Sequence, residues 1–392
     1  MKKTVSQLPC SRNAFYIFDI PRLRQRVCEL RRALPPQVSV CYAVKANPFI
    51  TRELVCAVDR FEVCSPGEAE ICRQLKVPAE QTVISGVYKT PEVMEQLVSD
   101  PTFTGVFTVE SEAQWNLLSA LSEKYSRRLP LLLRLTNGSQ FGMDAALIDT
   151  LISRRAEHPL LELRGIQFFS GTQKTSLKKL CREIRELDAY LLHLQQDLQY
   201  TAAELEYGPG LPAVYFEDDT LDEPALLEGF SQALAAMQNA PAIVLELGRS
   251  IAACCGRYYT HVVDVKQNAG QAYLLTDGGM HHLSYFGQSM AMRRPHLSVV
   301  GREAHPPEQV YHICGSLCSM NDIIVKQVPL PHMHIGDTLV FENTGAYSMT
   351  EGIALFLSRD LPAVFLLFED GAVEVRPPFE TAALNLPQYP TY

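Results

Sequence analysis

Eight short apolar segments alternate with stretches of helical periodicity, and this alternation restricts the fold more than any other feature of the chain. The apolar segments are residues 38–45, 61–65, 82–86, 105–109, 131–135, 165–169, 204–208 and 243–247. Eight strand–helix units within about 230 residues have the size and rhythm of a TIM-type (β/α)8 barrel. A doubly wound open sheet is the alternative, but no G-x-G-x-x-G motif follows the first predicted strand.

Helix-capping signals support this alternation. Ser65-Pro-Gly-Glu68 is a capping box with proline at the first helical position, and Thr90 precedes Pro91 in the same way. Asp19 comes between a short predicted strand at 15–18 and a helix that has Pro21 in its first turn.

The pattern changes beyond about residue 255, where strand-like segments follow one another with little helix. These segments are 259–266, 271–277, 337–342 and 363–368, and turns such as Asn268-Ala-Gly connect them. We predict an antiparallel β domain, which strand 15–18 joins. The expected domains are therefore an N-terminal strand and helix (1–27) associated with the β domain, a barrel (28–255) and a C-terminal β domain (256–392).

Composition narrows the function classes. The net charge is −9 and no long basic run occurs, so nucleic acid is not an expected partner. The first residues lack an apolar signal segment, no apolar run is long enough for a membrane span, and the eleven cysteines form no C-x-x-C pair. We therefore expect a cytoplasmic protein. The histidine pairs lack further ligands at readable spacings, so no metal site is expected.

Lys45 is the unusual residue of the first predicted strand. An apolar, β-branched strand interior excludes an ammonium group unless a partner or a chemical use holds it there. Burial lowers the pKa of a lysine, and a neutral amine is the form that adds to an aldehyde. A lysine at the strand end that reaches water is the structural alternative.

Further polar residues fall at the predicted carboxyl ends of strands, where barrel enzymes place catalytic groups. The glycines of Gly208-Pro-Gly210 follow the seventh strand and suit a phosphate, because bare backbone N–H groups can approach its oxygens. A lysine, a phosphate site and a buried carboxylate are together the requirements of pyridoxal phosphate. Glu246 suits the carboxylate role, and an ion pair with Arg134 or Arg249 is the alternative.

Seven segments, in this order, resemble the fold type III pyridoxal-phosphate decarboxylases, which include the diaminopimelate and ornithine decarboxylases. They are Tyr42-Ala-Val-Lys-Ala-Asn47, Phe61-Glu-Val-Cys-Ser-Pro-Gly-Glu68, Gly208-Pro-Gly210, Glu246-Leu-Gly-Arg249, Asp277-Gly-Gly-Met280, Gly315-Ser-Leu-Cys318 and Gly345-Ala-Tyr347. The resemblance covers nearly the whole chain. It implies a barrel with a C-terminal β domain, pyridoxal 5'-phosphate as cofactor, and a homodimer with shared active sites.

The resemblance also assigns roles to individual residues. Lys45 bonds covalently to the cofactor with Glu62 nearby, and Glu246 faces the pyridine nitrogen. Cys318, delivered by the partner subunit, returns the proton to Cα after carbon dioxide leaves. The other residues that it places at the cofactor are Arg134, Thr172, Gly208, Gly210, Gly248, Arg249 and Tyr347.

Four positions bear on the substrate and the cofactor. Phe169 stands where the family usually stacks a histidine on the cofactor ring, and Pro209 replaces a glycine and removes an N–H donor. Ser319 stands where an aspartate or glutamate usually grips a distal ammonium, which makes ornithine and lysine poorer substrates. Asp322 matches an aspartate of the family and is expected to face the substrate.

Three segments are similar to those of a sub-branch of this family found in natural-product pathways. The representative enzyme of that sub-branch, from butirosin biosynthesis, decarboxylates an amino acid tethered to an acyl carrier protein. The three segments are Ser139-Gln-Phe-Gly-Met-Asp144, Phe169-Ser-Gly-Thr-Gln173 and Asp277-Gly-Gly-Met-His-His282. The predicted function is an amino-acid α-decarboxylase of a biosynthetic pathway, with a free or carrier-tethered substrate. The alternatives are a free diaminopimelate, ornithine or lysine decarboxylase, an alanine-racemase-like enzyme, and a non-catalytic cofactor-binding or regulatory relative.

Overall fold

A computed structural model describes residues 13–239 and 242–388. Its strands are β1 (Phe15–Asp19), β2 (Ser39–Ala43), β3 (Arg60–Val63), β4 (Thr82–Ile84), β5 (Val106–Val109), β6 (Leu129–Leu135), β7 (Leu161–Phe169), β8 (Glu204–Gly208), β9 (Ala242–Leu247), β10 (Gly256–Asn268), β11 (Gln271–Thr276), β12 (Leu297–Val299), β13 (Gln309–Cys314), β14 (Ile323–Leu330), β15 (Thr338–Glu342), β16 (Ala363–Phe368) and β17 (Gly371–Arg376). Its α-helices are α1 (Ile20–Ala33), α2 (Thr51–Leu54), α3 (Pro66–Gln74), α4 (Pro91–Ser99), α5 (Glu112–Lys124), α6 (Ala145–Ser153), α7 (Leu177–Leu198), α8 (Glu223–Ala235), α9 (Arg249–Ala252) and α10 (Ala382–Asn385). Within these ranges, no helix is both long and apolar enough to cross a membrane.

Backbone contacts divide the chain into two compact units. The barrel unit comprises residues 26–212 and 221–251, and the β unit comprises 213–220, 252–388 and the described residues before 26. For comparison, the sequence analysis predicted domain boundaries between residues 27 and 28 and between residues 255 and 256. The first twelve residues of the predicted N-terminal segment lie outside the described residues.

Strands β2 to β9 form a closed barrel in sequence order, and each strand is parallel to its neighbours. The last strand pairs with the first in the register Ser39↔Val244 to Tyr42↔Leu247, which closes the barrel. The predicted TIM-type fold is confirmed. All eight predicted strands are present, and the largest boundary difference is in β7, which begins at Leu161.

The barrel interior changes from apolar to polar along the strands. One hydrophobic cluster fills it with a side chain from each of five strands, namely Cys41, Val83, Val106, Leu132 and Val244. Two residues further along β5, β6 and β9 come Thr108, Arg134 and Glu246, which are also buried. Because side chains alternate along a strand, these polar groups share the interior side with the cluster and lie nearer the carboxyl ends of the strands.

The capping box at α3 positions the end of β3. Ser65 Oγ accepts a hydrogen bond from the backbone N–H of Glu68 at 3.2 Å, and Glu68 Oε2 accepts one from the N–H of Cys64 at 2.7 Å. These bonds fix the chain where it leaves β3 and begins the helix. Thr90 occupies the N-cap of α4, but its side chain makes no capping bond.

The β unit contains a sheet in the order β14-β13-β11-β10-β1-β16-β17, and β15 pairs with both β10 and β12. A β domain is confirmed, but the expected purely antiparallel arrangement needs correction. Two of its pairs, β1 with β16 and β11 with β13, are parallel. An alternating hydrophobic pattern identifies a strand but not the strands with which it pairs. β1, from the N-terminal part of the chain, lies between β10 and β16.

We expect Gly165→Ala to destabilise the barrel unit. A Cβ at Gly165 in β7 would lie 1.7 Å from the carbonyl oxygen of Glu204 in β8. Relieving this clash must separate the two strands, so the free energy of unfolding should fall by about 1–3 kcal/mol. Gly67→Ala in α3 is the control, because its Cβ would meet nothing closer than Ser65 Oγ at 3.9 Å. Thermal and urea unfolding compare the variants, and equal stability would contradict the expectation.

Candidate active site

Lys45 lies in a 3₁₀ turn (Val44–Ala46) directly after β2, and its side chain is 43% exposed. The prediction that it is buried within the first strand is wrong. The strand ends at Ala43, where the chain turns and the N–H of Asn47 bonds the carbonyl of Val44 at 3.1 Å. An apolar run shows that a strand is present but does not show at which residue it ends.

Glu62 on β3 fixes the Lys45 amine. Lys45 Nζ donates to Glu62 Oε2 at 2.8 Å and lies 3.4 Å from Cys64 Sγ, and the Cys64 thiol donates to Glu62 Oε1 at 3.2 Å. Burial alone would raise the pKa of Glu62, but the charge and hydrogen bond of Lys45, with the bond from Cys64, lower it below its usual value. Glu62 is therefore an anion beside the amine. Sequence reasoning missed Cys64, whose only signal is its position directly after β3, two residues beyond Glu62.

Glu246 on β9 is a second buried carboxyl group. Its Oε1 accepts a hydrogen bond from Gln167 Nε2 at 2.8 Å. Burial, and then the negative charge of Glu62, raise the pKa of Glu246 to about 7, although Lys45 and Gln167 act in the opposite direction. The sequence analysis missed Gln167. This residue belongs to β7, and its position in the sequence does not show that it contacts Glu246 on β9.

Phe169, Gly208 and Glu246 come together around a narrow space. A Cβ on Gly208 would lie 2.5 Å from Phe169 Cδ2 and 3.1 Å from Glu246 Oε2. Only glycine fits between the aromatic ring and the carboxyl group. Phe169 is half-buried at the end of β7.

A cationic group, a hydroxyl and glycine backbone meet beside this space. Arg249 Nε donates to Thr172 Oγ1 at 3.3 Å. Gly210 has a φ of +65°, and a Cβ there would lie 1.9 Å from the carbonyl oxygen of Gly171. Gly248 precedes Arg249, and its carbonyl accepts from the N–H of Ile251 at 3.1 Å, which begins α9. Guanidinium, hydroxyl and closely approachable backbone are the donors that suit a phosphate.

These groups fit pyridoxal phosphate. An amine paired with an anion, a buried carboxyl beside an aromatic ring, and an anion cradle match its aldehyde, its pyridine ring and its phosphate. Any side chain at position 208 would crowd the ring of Phe169 and the carboxyl group of Glu246, and glycine leaves both of these groups accessible. In the part of the chain that the structure describes, no cluster of three or more histidine, cysteine or carboxylate side chains is arranged to hold a metal ion.

Arg134, which the resemblance also places at the cofactor, is paired with Glu110 and does not join Arg249 at Thr172. Its Nη1 donates to Glu110 Oε1 at 2.9 Å, and its guanidinium lies 5.0 Å from the centre of the Phe141 ring. Lys89, another residue that the sequence analysis missed, is buried nearby and donates to Gly86 O at 3.0 Å. Burial lowers the pKa of Lys89 to about 8.

The other predicted site residues lie in the β unit, in the loop between β13 and β14 and after β15. Cys318 is exposed in that loop. Asp322 is buried, its Oδ1 accepts from the N–H of Met280 at 2.8 Å, and its Oδ2 accepts from the N–H of Leu317 at 2.7 Å. These bonds show that the carboxylate shapes the loop, and the expectation that Asp322 faces the substrate stays a prediction. Tyr347 is half-buried with a φ of +65°.

Comparison with known proteins identifies the class. The family model for "Pyridoxal-dependent decarboxylase, C-terminal sheet domain" matches residues 15–345, so the chain belongs to the pyridoxal-dependent decarboxylases. The predicted family, the carboxy-lyase activity and the cofactor pyridoxal 5'-phosphate are confirmed.

Relatives with described activities match over most of the chain. The L-glutamyl-[BtrI acyl-carrier protein] decarboxylase of Niallia circulans is 24% identical, over 92% of this chain and 90% of its own. The diaminopimelate decarboxylase of Campylobacter jejuni is also 24% identical, over 86% of each chain. The 2-[(L-alanin-3-ylcarbamoyl)methyl]-2-hydroxybutanedioate decarboxylase of Staphylococcus aureus is 24% identical, over 90% of this chain and 93% of its own.

Solved structures share the fold. The diaminopimelate decarboxylase of M. jannaschii superimposes with a TM-score of 0.84 at 21% identity, over 94% of this chain and 90% of its own. The lysine/ornithine decarboxylase of Vibrio vulnificus, complexed with cadaverine, gives a TM-score of 0.79 at 21% identity, over 91% of this chain and 95% of its own.

The raised pKa of Glu246 predicts a pH-dependent stability. Its value rises from 4.5 to about 7 on folding, so protonation stabilises the folded chain. This contribution is complete below about pH 4.5 and is lost as the pH rises through about 7. Cofactor-free wild-type protein should therefore lose stability relative to Glu246→Gln over this window.

Melting temperatures measured against pH test this expectation. The exposed Glu228 supplies the control variant Glu228→Gln, which should follow the wild-type curve. Parallel curves for the wild type and Glu246→Gln would contradict the raised pKa.

Proposed function

We propose that the protein removes the α-carboxylate from an amino acid whose side chain ends without a free ammonium group, such as one attached to a carrier protein. The observation that carries this proposal is the loop 315–322, which bears Cys318. Its one carboxylate is Asp322, and both oxygens of that carboxylate accept hydrogen bonds from backbone N–H groups. Ser319 takes the position after the cysteine, where the family pattern has an acidic residue.

Charge balance favours such a substrate. A distal ammonium that enters a protein site needs a counter-ion, since an unpaired buried charge costs several kcal/mol by order of magnitude. The loop supplies a thiol at Cys318 and a hydroxyl at Ser319, which suit a neutral amide, ester or thioester tail. Asp322 is held by Met280 and Leu317 and does not replace the missing acid.

The names of two relatives support this substrate class. One describes a glutamyl group on an acyl carrier protein, and the other an alanine joined through a carbamoyl group. Decarboxylation of free diaminopimelate is the second candidate, because several relatives carry that name. The placement in a cytoplasmic biosynthetic pathway is part of the proposal, and the ten cysteines of the described residues, all of them free, accord with it.

The net reaction breaks the bond from Cα to the carboxylate, releases carbon dioxide and places a proton on Cα. When bound, pyridoxal phosphate supplies an aldehyde for the substrate amine and a cationic ring that accepts the electron pair of the broken bond. The residues of the chain bind, orient and transfer protons around this chemistry.

The barrel residues divide these tasks. The Lys45 amine would bond to the cofactor aldehyde, and Glu62 positions that amine through the 2.8 Å contact. Glu246 would place negative charge at the ring nitrogen, and Phe169 would cover one ring face. The groups assigned to the phosphate are Thr172, Gly208, Gly210, Gly248 and Arg249.

Cys318 is the proposed proton donor to Cα. Its side chain is exposed on a loop of the β unit. We assign it to the active site of a second copy of the chain, so the working enzyme is a homodimer with shared sites. Tyr347 completes the cofactor-binding set by the family pattern.

A substrate panel tests the proposal. Carbon dioxide release is measured for free amino acids and for the same amino acids as pantetheine or carrier-protein thioesters. We expect release from neutral-tailed or tethered substrates, and we expect Ser319→Asp to increase kcat/KM for lysine or ornithine by about tenfold because it restores a counter-ion. Ser316→Asp is the control for added charge in the same loop. Efficient turnover of diaminopimelate, lysine or ornithine by the wild type would contradict the substrate class.

Mixing of inactive subunits tests the shared site. Lys45→Ala should lose the visible absorbance of lysine-bonded cofactor, whereas Cys318→Ala should keep it and turn over slowly. Because each mixed dimer retains one site with both residues intact, mixing should restore part of the activity. Cys56→Ala, at another exposed cysteine, controls for general thiol effects. No recovery in verified mixed dimers would contradict a shared site.

A further inference from the structure

A second buried carboxyl group lies on the strand next to that of Glu246. Glu206 on β8 is completely buried, and β8 pairs with β9 in the register Glu206↔Val244, which brings its side chain within hydrogen-bonding reach of Glu246 two residues further along β9. A charged carboxylate has no proton to donate, so two charged groups cannot make such a bond. The contact therefore requires that one of the two side chains carries a proton.

The surrounding charges indicate that Glu206 is the side chain that carries the proton. Arg60 makes two bonds to Glu204, at 2.7 and 2.9 Å, and Arg164 adds a third at 3.0 Å. Arg60 reaches Glu206 at only 3.4 Å. The two cations of this cluster are thus engaged mainly by Glu204, and among the described residues the ion-pair partner of Glu206 is Arg60, which lies farther from it and is shared with Glu204.

The remaining neighbours do not supply the missing charge. No N–H or O–H of the described residues donates to Glu206 Oε1. Gln167, which pairs with Glu206 in the strand register, donates one amide N–H to Glu246, and an amide carries no charge. The buried thiol of Cys41 is neutral, because burial, and then the nearby carboxylates, raise the pKa of Cys41.

We propose that Glu206 holds a proton and donates it in a hydrogen bond to Glu246, which makes Glu206 the positioning residue that keeps Glu246 charged. This inference rests on the role proposed above for Glu246. Two carboxyl groups in contact cannot both ionise at neutral pH. Burial, and then the charge of Glu246, raise the pKa of Glu206 well above its usual value, whereas the bond from Glu206 lowers that of Glu246.

The proposed bond directs the charge of the pair. Gln167 and Glu206 both donate to Glu246 from within the barrel, so the single negative charge stays on its carboxylate. An anion at this position keeps the ring nitrogen of the cofactor protonated. Without the bond from Glu206, the pKa of Glu246 rises further, and at neutral pH the residue is protonated and ineffective.

Infrared spectra of cofactor-free protein locate the proton. At a pH about one unit above the pKa of Glu246, which lies near 7, the wild type should show the C=O stretching band of a protonated carboxylic acid. Glu206→Gln should remove this band, while Glu246→Gln and the surface control Glu228→Gln should keep it. Absence of this band from the wild-type spectrum would overturn the proposal. A band that persists in Glu206→Gln and disappears in Glu246→Gln would also overturn it.

Kinetics then test the positioning role. Assayed below about pH 7, where the pKa of Glu246 exceeds the pH, Glu206→Leu, which cannot donate, should lower kcat about tenfold for each unit by which that pKa rises, with KM little changed. It should also shift the pH dependence of the bound cofactor's absorbance. Glu206→Gln should stay within about threefold of wild-type kcat, because its amide still donates. Equal losses in both variants would indicate a packing role and overturn the proposal.

The two assignments fail in different ways. If Glu246→Gln leaves both kcat and the cofactor spectrum unchanged, the role proposed for Glu246 fails, although the infrared band still places the proton on Glu206. If Glu246→Gln loses activity while Glu206→Leu retains full kcat, the positioning role of Glu206 is overturned and that of Glu246 stands.

Discussion

The pairing of β2 with β9 closes the barrel, and the candidate site depends on it. This register places Cys41 beside Glu246 and brings the first strand next to the last. The Lys45 turn, which follows β2, therefore belongs to the same end of the barrel as Glu246, although about two hundred residues separate them. The neighbouring β3 adds Glu62, and its 2.8 Å bond to Lys45 gives the amine a fixed position. No local segment of the chain can form this arrangement by itself.

The buried carboxyl groups of the barrel differ in charge because their partners differ. Lys45 keeps Glu62 ionised, and two arginines form ion pairs with Glu204. Among the described residues no cation lies as close to Glu206 or Glu246, and burial raises the pKa of both. By the role proposed for Glu246, a cofactor with a cationic ring nitrogen would supply a positive charge to this part of the interior.

The sequence was sufficient to predict the barrel because each strand is a short apolar run between helical stretches, and β8 was located at its exact bounds. It was insufficient wherever partners come from different strands. Gln167 and Glu206 look like ordinary strand residues until the register places them beside each other and near Glu246. The prediction that Lys45 is buried was wrong because an apolar run does not show at which residue a strand ends. The fixed geometry of Asp322 depends on Met280, which is distant in sequence.

The position of β1 affects how the β unit can form during synthesis. Phe15 pairs with Tyr259 on one side and with Ala363 on the other, so an early strand completes a late sheet. At about 5–20 residues per second, its second partner leaves the ribosome roughly 20–70 s after β1 itself. Both edges of this apolar strand, Phe-Tyr-Ile-Phe, stay unpaired until β10 emerges, and the second edge stays unpaired until β16 follows. The nascent enzyme is therefore most exposed to aggregation before its last hundred residues appear, and protection of this one strand would improve the yield of folded protein.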